Sequence, residues 1–355
     1  MRIGILTGGG DCPGLNAVIR AVVRKGIFHF GDEFVGFLEG WRGVVEGNSM
    51  PLDLKAVAGI VHRGGTILRT SRTNPAKREG GLAQCISNLE KLNIDTLICI
   101  GGDDTQSVAK KLHELGVKII GVPKTIDNDL SGTDFCFGFD TAVTIATEAI
   151  DRLHTTAEAH NRVIVVEVMG RDSGWIALYS GVAGGADVIL VPEQPFDIDE
   201  VAETLKLRHE RGRYFSIVVV AEGVKLESGQ QHSGARVDEF GHVRLGGVGN
   251  AVAQEIEKRT GYETRAAVLG HIQRGGSPTA FDRMLATRYG IGAIDMVHRG
   301  EFGHMVAMRG LDIASVPLKD ALQRTRVVPP DLISVAESLQ QKHQRQVAVV
   351  GAGQR

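Results

Sequence analysis

Apolar runs of strand length alternate with amphipathic stretches along most of the chain. The runs are rich in Val and Ile, as in strands covered on both faces, and predict strands at Arg2–Thr7, Thr96–Ile100, Val117–Val122, Val163–Met169, Val188–Val191, Ile217–Ala221 and Ala266–Leu269. Helical spacing predicts helices at Leu15–Phe30, Gly81–Leu92, Asp103–Leu115, Thr141–Ala159, Ile198–Arg211 and Gly249–Arg259. This alternation predicts an α/β fold with mainly parallel sheets and right-handed crossovers.

The composition agrees with an α/β protein of two domains. The chain has 355 residues, and a domain usually holds roughly 100 to 200. Its 46 glycines are spread over the whole length, as expected for many tight turns between strands and helices. The net charge of −2 provides no global field to attract nucleic acid or acidic lipid, so we expect neither partner.

The sequence favours a cytoplasmic protein. No apolar run approaches the roughly 18 residues of a membrane span. The first predicted strand begins at Arg2, which leaves no room for a signal peptide. The four cysteines include no CxxC pair, so we expect reduced thiols.

Two segments depart from the alternation of strands and helices. Residues 225–247 are polar, and within them 237–245 predict a hairpin that turns at Gly241 and His242, which we interpret as a surface insertion. After about Leu322 the chain ends in a polar, helix-like stretch at 340–346 and an apolar run at 347–350. The sequence indicates no chemistry for this tail.

Glycines and aspartates follow the first predicted strand as Gly8-Gly9-Gly10-Asp11 and lead into a helix. Backbone N–H groups at such a turn, together with the helix dipole, can hold a phosphate. The spacing is neither GxGxxG nor GxxxxGK[ST], which disfavours a dinucleotide fold and a P-loop. A tight turn without a ligand is the alternative.

Two further clusters of carboxylates follow predicted strands. Asp103 and Asp104 open a helix after two glycines, so each is either a helix N-cap or a ligand of Mg²⁺. Thr125, Asp127 and Asp129 alternate, so in an extended loop all three point to one side. Such a trio can hold an acceptor hydroxyl, remove its proton and contact the metal shell. Turn-forming aspartates are the alternative.

Eight blocks of this sequence resemble phosphofructokinases in their order and approximate spacing. They extend over about residues 1–300 and read GGGDCPGLNAVIR, RGGTILRTSR, GGDDT, PKTIDND, VVEVMGRDSGW, AEG, ETRAAVLGHIQRGG and PTAFDRMLATR. The resemblance implies two Rossmann-like, three-layer domains that are discontinuous in sequence. Residues 1–138 plus 273–323 would bind the phosphoryl donor and Mg²⁺, and 139–272 plus 324–355 would bind fructose 6-phosphate.

The resemblance also implies a role for each matching residue. Asp127 is the general base for the 1-hydroxyl of the sugar, with Thr125 and Asp129 beside it, and Asp103 holds Mg²⁺. Gly10 contacts the donor, while Arg72 and Arg171 stabilise the transferring phosphoryl group. The sugar phosphate would be bound by Arg162, Met169, Gly170, Glu222, Arg265, His271 and Arg274. Arg162 and Arg265 match arginines supplied by a neighbouring subunit, so we expect a homodimer or homotetramer.

Two residues depart from the pattern of ATP-using members of the family, which have glycine at both positions. Asp104 would lie where the α-phosphate of ATP must pass, and Lys124 would bring a mobile cation to a short donor. Both fit pyrophosphate as the donor, in a reversible reaction that serves glycolysis and gluconeogenesis. A helix cap and a surface lysine are the alternatives for these residues. An ATP-dependent enzyme and a non-catalytic sugar-phosphate sensor are the alternatives for the whole protein.

An effector site is expected to be weak. Arg20, Arg24 and Arg213 match its cations in bacterial relatives, but Leu54 and His154 stand where further arginines would be. Solvated helix positions explain Arg20 and Arg24 equally well.

Overall fold

Two sheets organise the computed structural model, which describes residues 1–226 and 246–339. In chain order the strands are β1 (Arg2–Thr7), β2 (Glu33–Phe37), β3 (Ser49–Pro51), β4 (Thr96–Gly101), β5 (Ile119–Pro123), β6 (Val163–Val168), β7 (Val188–Leu190), β8 (Ser216–Ala221), β9 (Thr264–Val268), β10 (His304–Arg309) and β11 (Asp312–Pro317). The larger sheet has the order β11-β10-β5-β4-β1-β2-β3, with antiparallel pairs only at its edges. The smaller sheet, β7-β8-β6-β9, is parallel throughout.

Helices connect the strands and cover the sheets. They are α1 (Leu15–Lys25), α2 (Trp41–Glu46), α3 (Gly81–Lys91), α4 (Asp103–Glu114), α5 (Phe139–His160), α6 (Trp175–Ala183), α7 (Ile198–Glu210), α8 (Val248–Thr260), α9 (Ala280–Arg299), α10 (Leu318–Ala321) and α11 (Pro330–Leu339). A π-helical turn, Gly26–Phe30, continues α1, and short 3₁₀ helices form at Pro75–Lys77 and Gly270–Arg274. None of the described helices is long and apolar enough to cross a membrane.

The predicted α/β fold class is confirmed, and the strand predictions are close to the observed elements. All residues of β4, β6 and β8 are buried, which explains why these strands read as continuous apolar runs. The hydrophobic pattern does not predict α9, because this helix buries residues around most of its circumference and has no single apolar stripe. The hairpin of β10 and β11 was also not predicted. The predicted hairpin at 237–245 and the tail at 340–350 lie outside the described residues.

The chain crosses between the two sheets at more than one point. The strands β1 to β5, β10 and β11 belong to the larger sheet, and β6 to β9 belong to the smaller one. The predicted boundary at 138/139 falls at the beginning of α5, and that at 272/273 falls inside the 3₁₀ helix Gly270–Arg274. The domain boundaries themselves stay a prediction.

The chain crosses between the sheets through α5 and again through α9, and hydrogen bonds connect the N-termini of these two helices. Helix α5 packs on the smaller sheet, whereas α9 packs on the larger one. Thr279, the N-cap of α9, donates its hydroxyl to Asp140 Oδ2 at 2.6 Å. In return, the backbone N–H and the hydroxyl of Thr141 donate to Asp282 Oδ2 at 2.8 and 2.6 Å. Each helix therefore supplies a carboxylate to the first turn of the other, where the helix dipole favours negative charge.

Candidate active site

The glycine loop after β1 is held between α4 and the segment that precedes α9. A Cβ atom at Gly8 would lie 2.5 Å from Thr105 Oγ1, and Gly9 has a φ of 77°. Arg274 Nη1 donates to the carbonyl of Asp11 at 3.3 Å. Thr70 Oγ1 donates to the carbonyl of Gly9 at 2.5 Å. Close approach and positive φ are the reasons for glycine here. Gly8 is buried, whereas Gly9 is half-buried and Gly10 is exposed, so an anion could reach the backbone at these two residues.

Lys124 lies beneath this loop and is not a surface residue. Its side chain is buried, and Nζ donates to the carbonyl of Gly10. Burial lowers the pKa of Lys124 below its usual value. The expectation of a mobile cation is therefore wrong, because the ammonium group is fixed to the glycine loop by this hydrogen bond.

The loop after β5 brings Thr125 and Asp127 together through a local turn. Thr125 Oγ1 accepts from the backbone N–H of Asp127 at 3.0 Å and donates to Asp127 Oδ2 at 3.4 Å. Asn128 has a φ of 52°, so the loop bends and the predicted extended geometry is wrong. Asp127 Oδ1 is buried and has no hydrogen-bond partner among the described residues. This oxygen is available to accept a proton from a substrate.

Three carboxylates interact near this loop. Burial, followed by the negative charges of Asp127 and Asp103, raises the pKa of Asp129 to about 7. A divalent cation would relieve this repulsion. The described residues contain no cluster of three or more His, Cys, Asp or Glu side chains arranged to hold a metal.

Asp103 and Asp104 occupy the first turn of α4, but neither is its N-cap. The N-cap is Gly102, which makes no side-chain cap hydrogen bond. The cap interpretation is therefore wrong, although both carboxylates lie at the positive end of the helix dipole. Asp103 is exposed and Asp104 is half-buried, so both can be reached by a ligand.

The end of β6 presents Gly170 and Arg171 to the loop after β5. Gly170 has a φ of 148°, and Arg171 has a φ of 54°. Ser173 Oγ donates to the carbonyl of Asp127 at 3.2 Å, which connects the loops of the two sheets. Arg171 Nη2 is buried without a hydrogen-bond partner among the described residues. An unpartnered guanidinium N–H at this position can donate to a phosphate.

Glu222 shares this environment. Its Oε1 accepts from the backbone N–H of Arg171 at 3.1 Å. Burial, with a smaller contribution from the charge of Asp127, raises the pKa of Glu222 to about 7. Near neutral pH this carboxyl group therefore exists in both protonation states and can accept or donate a hydrogen bond to a sugar hydroxyl. The backbone N–H of Met169 donates to Gln273 Oε1 at 2.9 Å and fixes the adjacent strand end.

Arg162 and Arg265 lie away from this group. Arg162 directly precedes β6 and Arg265 pairs with Ile164, whereas Arg171 follows the carboxyl end of β6. The six residues of β6 span about 20 Å at roughly 3.3 Å per residue. Arg162 Nη2 and Arg265 Nη2 both pair with Glu263 Oε1, at 2.8 and 2.7 Å. Neither guanidinium group can reach Asp127 of the same chain.

The remaining predicted residues occupy the rim. Arg72 is exposed in the segment that binds the glycine loop through Thr70, and His271 is exposed on the 3₁₀ helix that carries Arg274. In the region of the expected effector site, the guanidinium of Arg24 lies 5.0 Å from the centroid of the Phe28 ring, and His154 Nε2 lies 2.7 Å from the carbonyl of Gly184. Weak effector control stays a prediction.

Sequence reasoning missed residues that hold the site in place. Ser173 and Gln273 lie inside the blocks VVEVMGRDSGW and ETRAAVLGHIQRGG, so their place beside the assigned residues is a signal in the sequence. Arg326 contacts the loop after β5 from 198 residues away, and no local pattern marks it.

These features define a class of protein: an α/β enzyme with two sheets, in which a glycine loop and a buried carboxylate of one sheet lie close to a buried arginine that follows a strand of the other. A family model described as Phosphofructokinase matches residues 2–297, and the chain belongs to this family. The family resemblance seen in the sequence is confirmed.

Relatives and solved structures agree with this assignment. A Streptomyces coelicolor protein named pyrophosphate--fructose 6-phosphate 1-phosphotransferase is 60% identical over 94% of this chain and 97% of its own length. Another protein of that organism, named ATP-dependent 6-phosphofructokinase 3, is 52% identical over 95% of this chain and 99% of its own length. The phosphofructokinase structure from Saccharomyces cerevisiae has a TM-score of 0.80 and 31% identity, and the match covers 95% of this chain and 46% of the yeast chain.

Proposed function

We propose that this enzyme transfers a phosphoryl group from pyrophosphate to the 1-hydroxyl of fructose 6-phosphate, giving fructose 1,6-bisphosphate and phosphate. The observation that carries the choice of donor is the pair Lys124 and Asp104, one beneath the glycine loop and the other in the first turn of α4. The relative at 60% identity, which is named for pyrophosphate, supports this choice. The relative at 52% identity, which is named for ATP, makes an ATP-dependent enzyme the second candidate.

The central residues of the site have distinct roles in the proposed reaction. Asp127 accepts the proton of the 1-hydroxyl through its unpartnered Oδ1 as that oxygen attacks the donor phosphorus. Arg171 donates from Nη2 to the phosphoryl oxygens, where charge increases in the transition state. Asp103 would hold Mg²⁺ beside Asp129, and the ion would neutralise phosphate charge when bound. Glu222 and Met169 would contact the sugar.

The reaction is proposed to run in both directions, because pyrophosphate and phosphate differ less in energy than ATP and ADP do at cellular levels. It would then serve both glycolysis and gluconeogenesis. We also propose a cytoplasmic location. The four cysteines are buried free thiols, as expected in a reducing compartment.

Assays of the purified enzyme with pyrophosphate and with ATP test the choice of donor. We expect kcat/KM with pyrophosphate and Mg²⁺ to exceed that with ATP by at least about tenfold, which is ~1.4 kcal/mol of transition-state discrimination. Equal or higher kcat/KM with ATP would identify the second candidate as correct. Fructose 6-phosphate binding without turnover of either donor would instead indicate a sugar-phosphate sensor.

We further propose that Arg162 and Arg265 act in the site of a neighbouring subunit, in a homodimer or homotetramer. The support is their position at the amino end of the smaller sheet, about 20 Å from Arg171 along β6 at roughly 3.3 Å per residue. Arg265 keeps 58% of its side-chain surface exposed although it is paired with Glu263. A guanidinium group on such a surface can form a bidentate contact with a phosphate of the adjoining subunit.

Mixing two inactive variants tests this sharing. Arg162→Ala lacks the donated arginine and Asp127→Ser lacks the base, so after subunit exchange a mixed site with one intact copy of each is expected to recover activity. A mixture of Asp127→Ser and Arg171→Ala is the control and should stay inactive, because both residues belong to the same chain's site. No recovery in the first mixture, with exchange verified by mass, would contradict a shared site.

A further inference from the structure

The segment Arg324–Val328, here called the strap, crosses from the larger sheet to the smaller one between α10 and α11. Ser131 Oγ donates to the carbonyl of Arg324 at 2.7 Å, and Leu130 forms an isolated antiparallel bridge with Thr325. On the other side, the backbone N–H of Val328 donates to Glu193 Oε1 at 3.0 Å. The strap therefore lies between the loop after β5 and the domain that carries α6.

Arg326 is the residue of the strap that contacts both sides. Its backbone N–H donates to the carbonyl of Asp129 at 2.7 Å, and its Nη1 donates to the carbonyl of Asn128 at 3.1 Å. Its guanidinium carbon lies 4.1 Å from the centroid of the Trp175 ring, and the Trp175 indole N–H donates back to the Arg326 carbonyl at 3.0 Å. Trp175 is the first residue of α6.

The guanidinium group of Arg326 is held by a backbone carbonyl and by an aromatic ring. Its side chain is half-buried, and Nη1 donates to a backbone carbonyl and not to a carboxylate. Taking a cation out of water without a counter-ion is costly unless its N–H groups and its face find other partners. Here the partners are a backbone carbonyl next to Asp127 and an aromatic face, where a cation is attracted to the ring.

The residue that Arg326 holds is in an uncommon conformation. Asn128 has a φ of 52°, and its Oδ1 accepts from the backbone N–H of Cys136 at 2.9 Å. Asparagine adopts this left-handed conformation more readily than other residues apart from glycine, and here the bond from Cys136 and the bond from Arg326 help to hold it. The backbone on both sides of Asn128 determines where the Asp127 carboxylate points.

We propose that Arg326 is a positioning residue that fixes Asp127 by binding the carbonyls of Asn128 and Asp129. Through its contact with Trp175, Arg326 also connects this loop to the helix α6 that packs on the smaller sheet. This inference rests on the proposed role of Asp127 as the base. The Arg326 guanidinium group contacts the loop at a backbone carbonyl, that of Asn128, so its loss should misplace the base without removing a contact to substrate. The bond to Asp129 comes from the Arg326 backbone N–H and stays in a variant. A displacement of about 1 Å can cost ~10²-fold in rate.

Steady-state kinetics of Arg326→Met test this role. Methionine keeps an apolar chain against Trp175 but cannot donate to Asn128. We expect kcat to fall about 10- to 100-fold with the KM values of both substrates within threefold, since the base and not the substrate is displaced. Arg326→Lys, which keeps one donor, should recover part of the loss. Arg324→Met, on the exposed side of the same strap, is the matched control and should keep wild-type kcat.

A double-mutant cycle separates positioning from a structural role. If Arg326 acts through Asp127, then Asp127→Ser with Arg326→Met should be no slower than Asp127→Ser alone, because the rate no longer depends on where the base lies. Additive losses, a kcat of Arg326→Met within threefold of wild type, or an equal loss in Arg324→Met would overturn the proposal. So would a kcat loss that merely follows the unfolded fraction measured by circular dichroism.

Tryptophan fluorescence provides a readout that does not depend on turnover. The chain has two tryptophans, so Trp41→Phe leaves Trp175 as the only emitter. In that background Arg326→Met should change the Trp175 emission of the folded, substrate-free protein, and an unchanged spectrum would contradict the stacking contact. If neither donor supports turnover, the proposed function fails while this measurement still reports on Arg326.

Discussion

Replacing Asp127 with serine should lower kcat by about 10²- to 10⁴-fold and leave the KM for fructose 6-phosphate within a few-fold. The carboxylate has one oxygen turned to Thr125 and one that is buried without a partner. The second oxygen is the only part of the residue free to take the substrate proton. A serine hydroxyl at this place is too weak a base to do so, but it fills less space and should not obstruct the sugar.

The measurement is the initial rate at saturating concentrations of both substrates, across pH 6 to 9. Asp151→Ser is the control: this carboxylate is exposed on α5, so its loss should leave kcat within threefold. A kcat for Asp127→Ser close to that of the wild type would remove Asp127 from the role of base.

The double variant Asp104→Gly with Lys124→Gly should lose most activity with pyrophosphate and gain activity with ATP. At ~4 Å, an Asp104 carboxylate and a nucleotide α-phosphate would repel by about 1 kcal/mol in water and about 4 kcal/mol at the effective dielectric of a protein surface. Glycine removes both the charge and the bulk. Removal of Lys124 also frees the Gly10 carbonyl and takes a buried cation from beneath the glycine loop.

The single variants separate these two effects. Asp104→Gly alone should first improve ATP binding, seen as a lower KM for ATP, while Lys124→Gly alone should weaken the use of pyrophosphate specifically. We expect kcat/KM with pyrophosphate to fall by about 10²- to 10³-fold in the double variant, since a few kcal/mol of charged contacts are lost. A double variant that retains its preference for pyrophosphate would show that other residues select the donor.

The sequence predicts the structure correctly where it depends on short-range patterns. The strands β1, β4, β6 and β8 are apolar because helices cover both faces, and the clusters Gly8 to Asp11 and Asp103 to Asp104 follow directly at their carboxyl ends. Alternation therefore predicted both the fold class and the edge of the sheets where the polar residues meet.

The sequence does not predict contacts between residues that are far apart along the chain. Nothing in the local sequence indicates that Lys124 is buried, but its Nζ binds the Gly10 carbonyl 114 residues away and the side chain is buried there. The loop after β5 bends because the Thr125 hydroxyl accepts a hydrogen bond from the backbone N–H of Asp127. The alternation of the aspartates, read as an extended loop, therefore predicts the wrong geometry. Arg326 lies beyond the eight blocks, and its role follows only from tertiary contacts.

The exchange of carboxylates between α5 and α9 limits how this molecule can be divided. A recombinant fragment that ended before Thr279 would contain every strand of the smaller sheet, but Thr141 would lose the Asp282 carboxylate that accepts its N–H and hydroxyl. A fragment made only of the larger sheet and α9 would leave the Thr279 hydroxyl without Asp140. The two halves are therefore not modules that can be transplanted one at a time, and engineering that exchanges the sugar half must carry α5 and α9 as a unit.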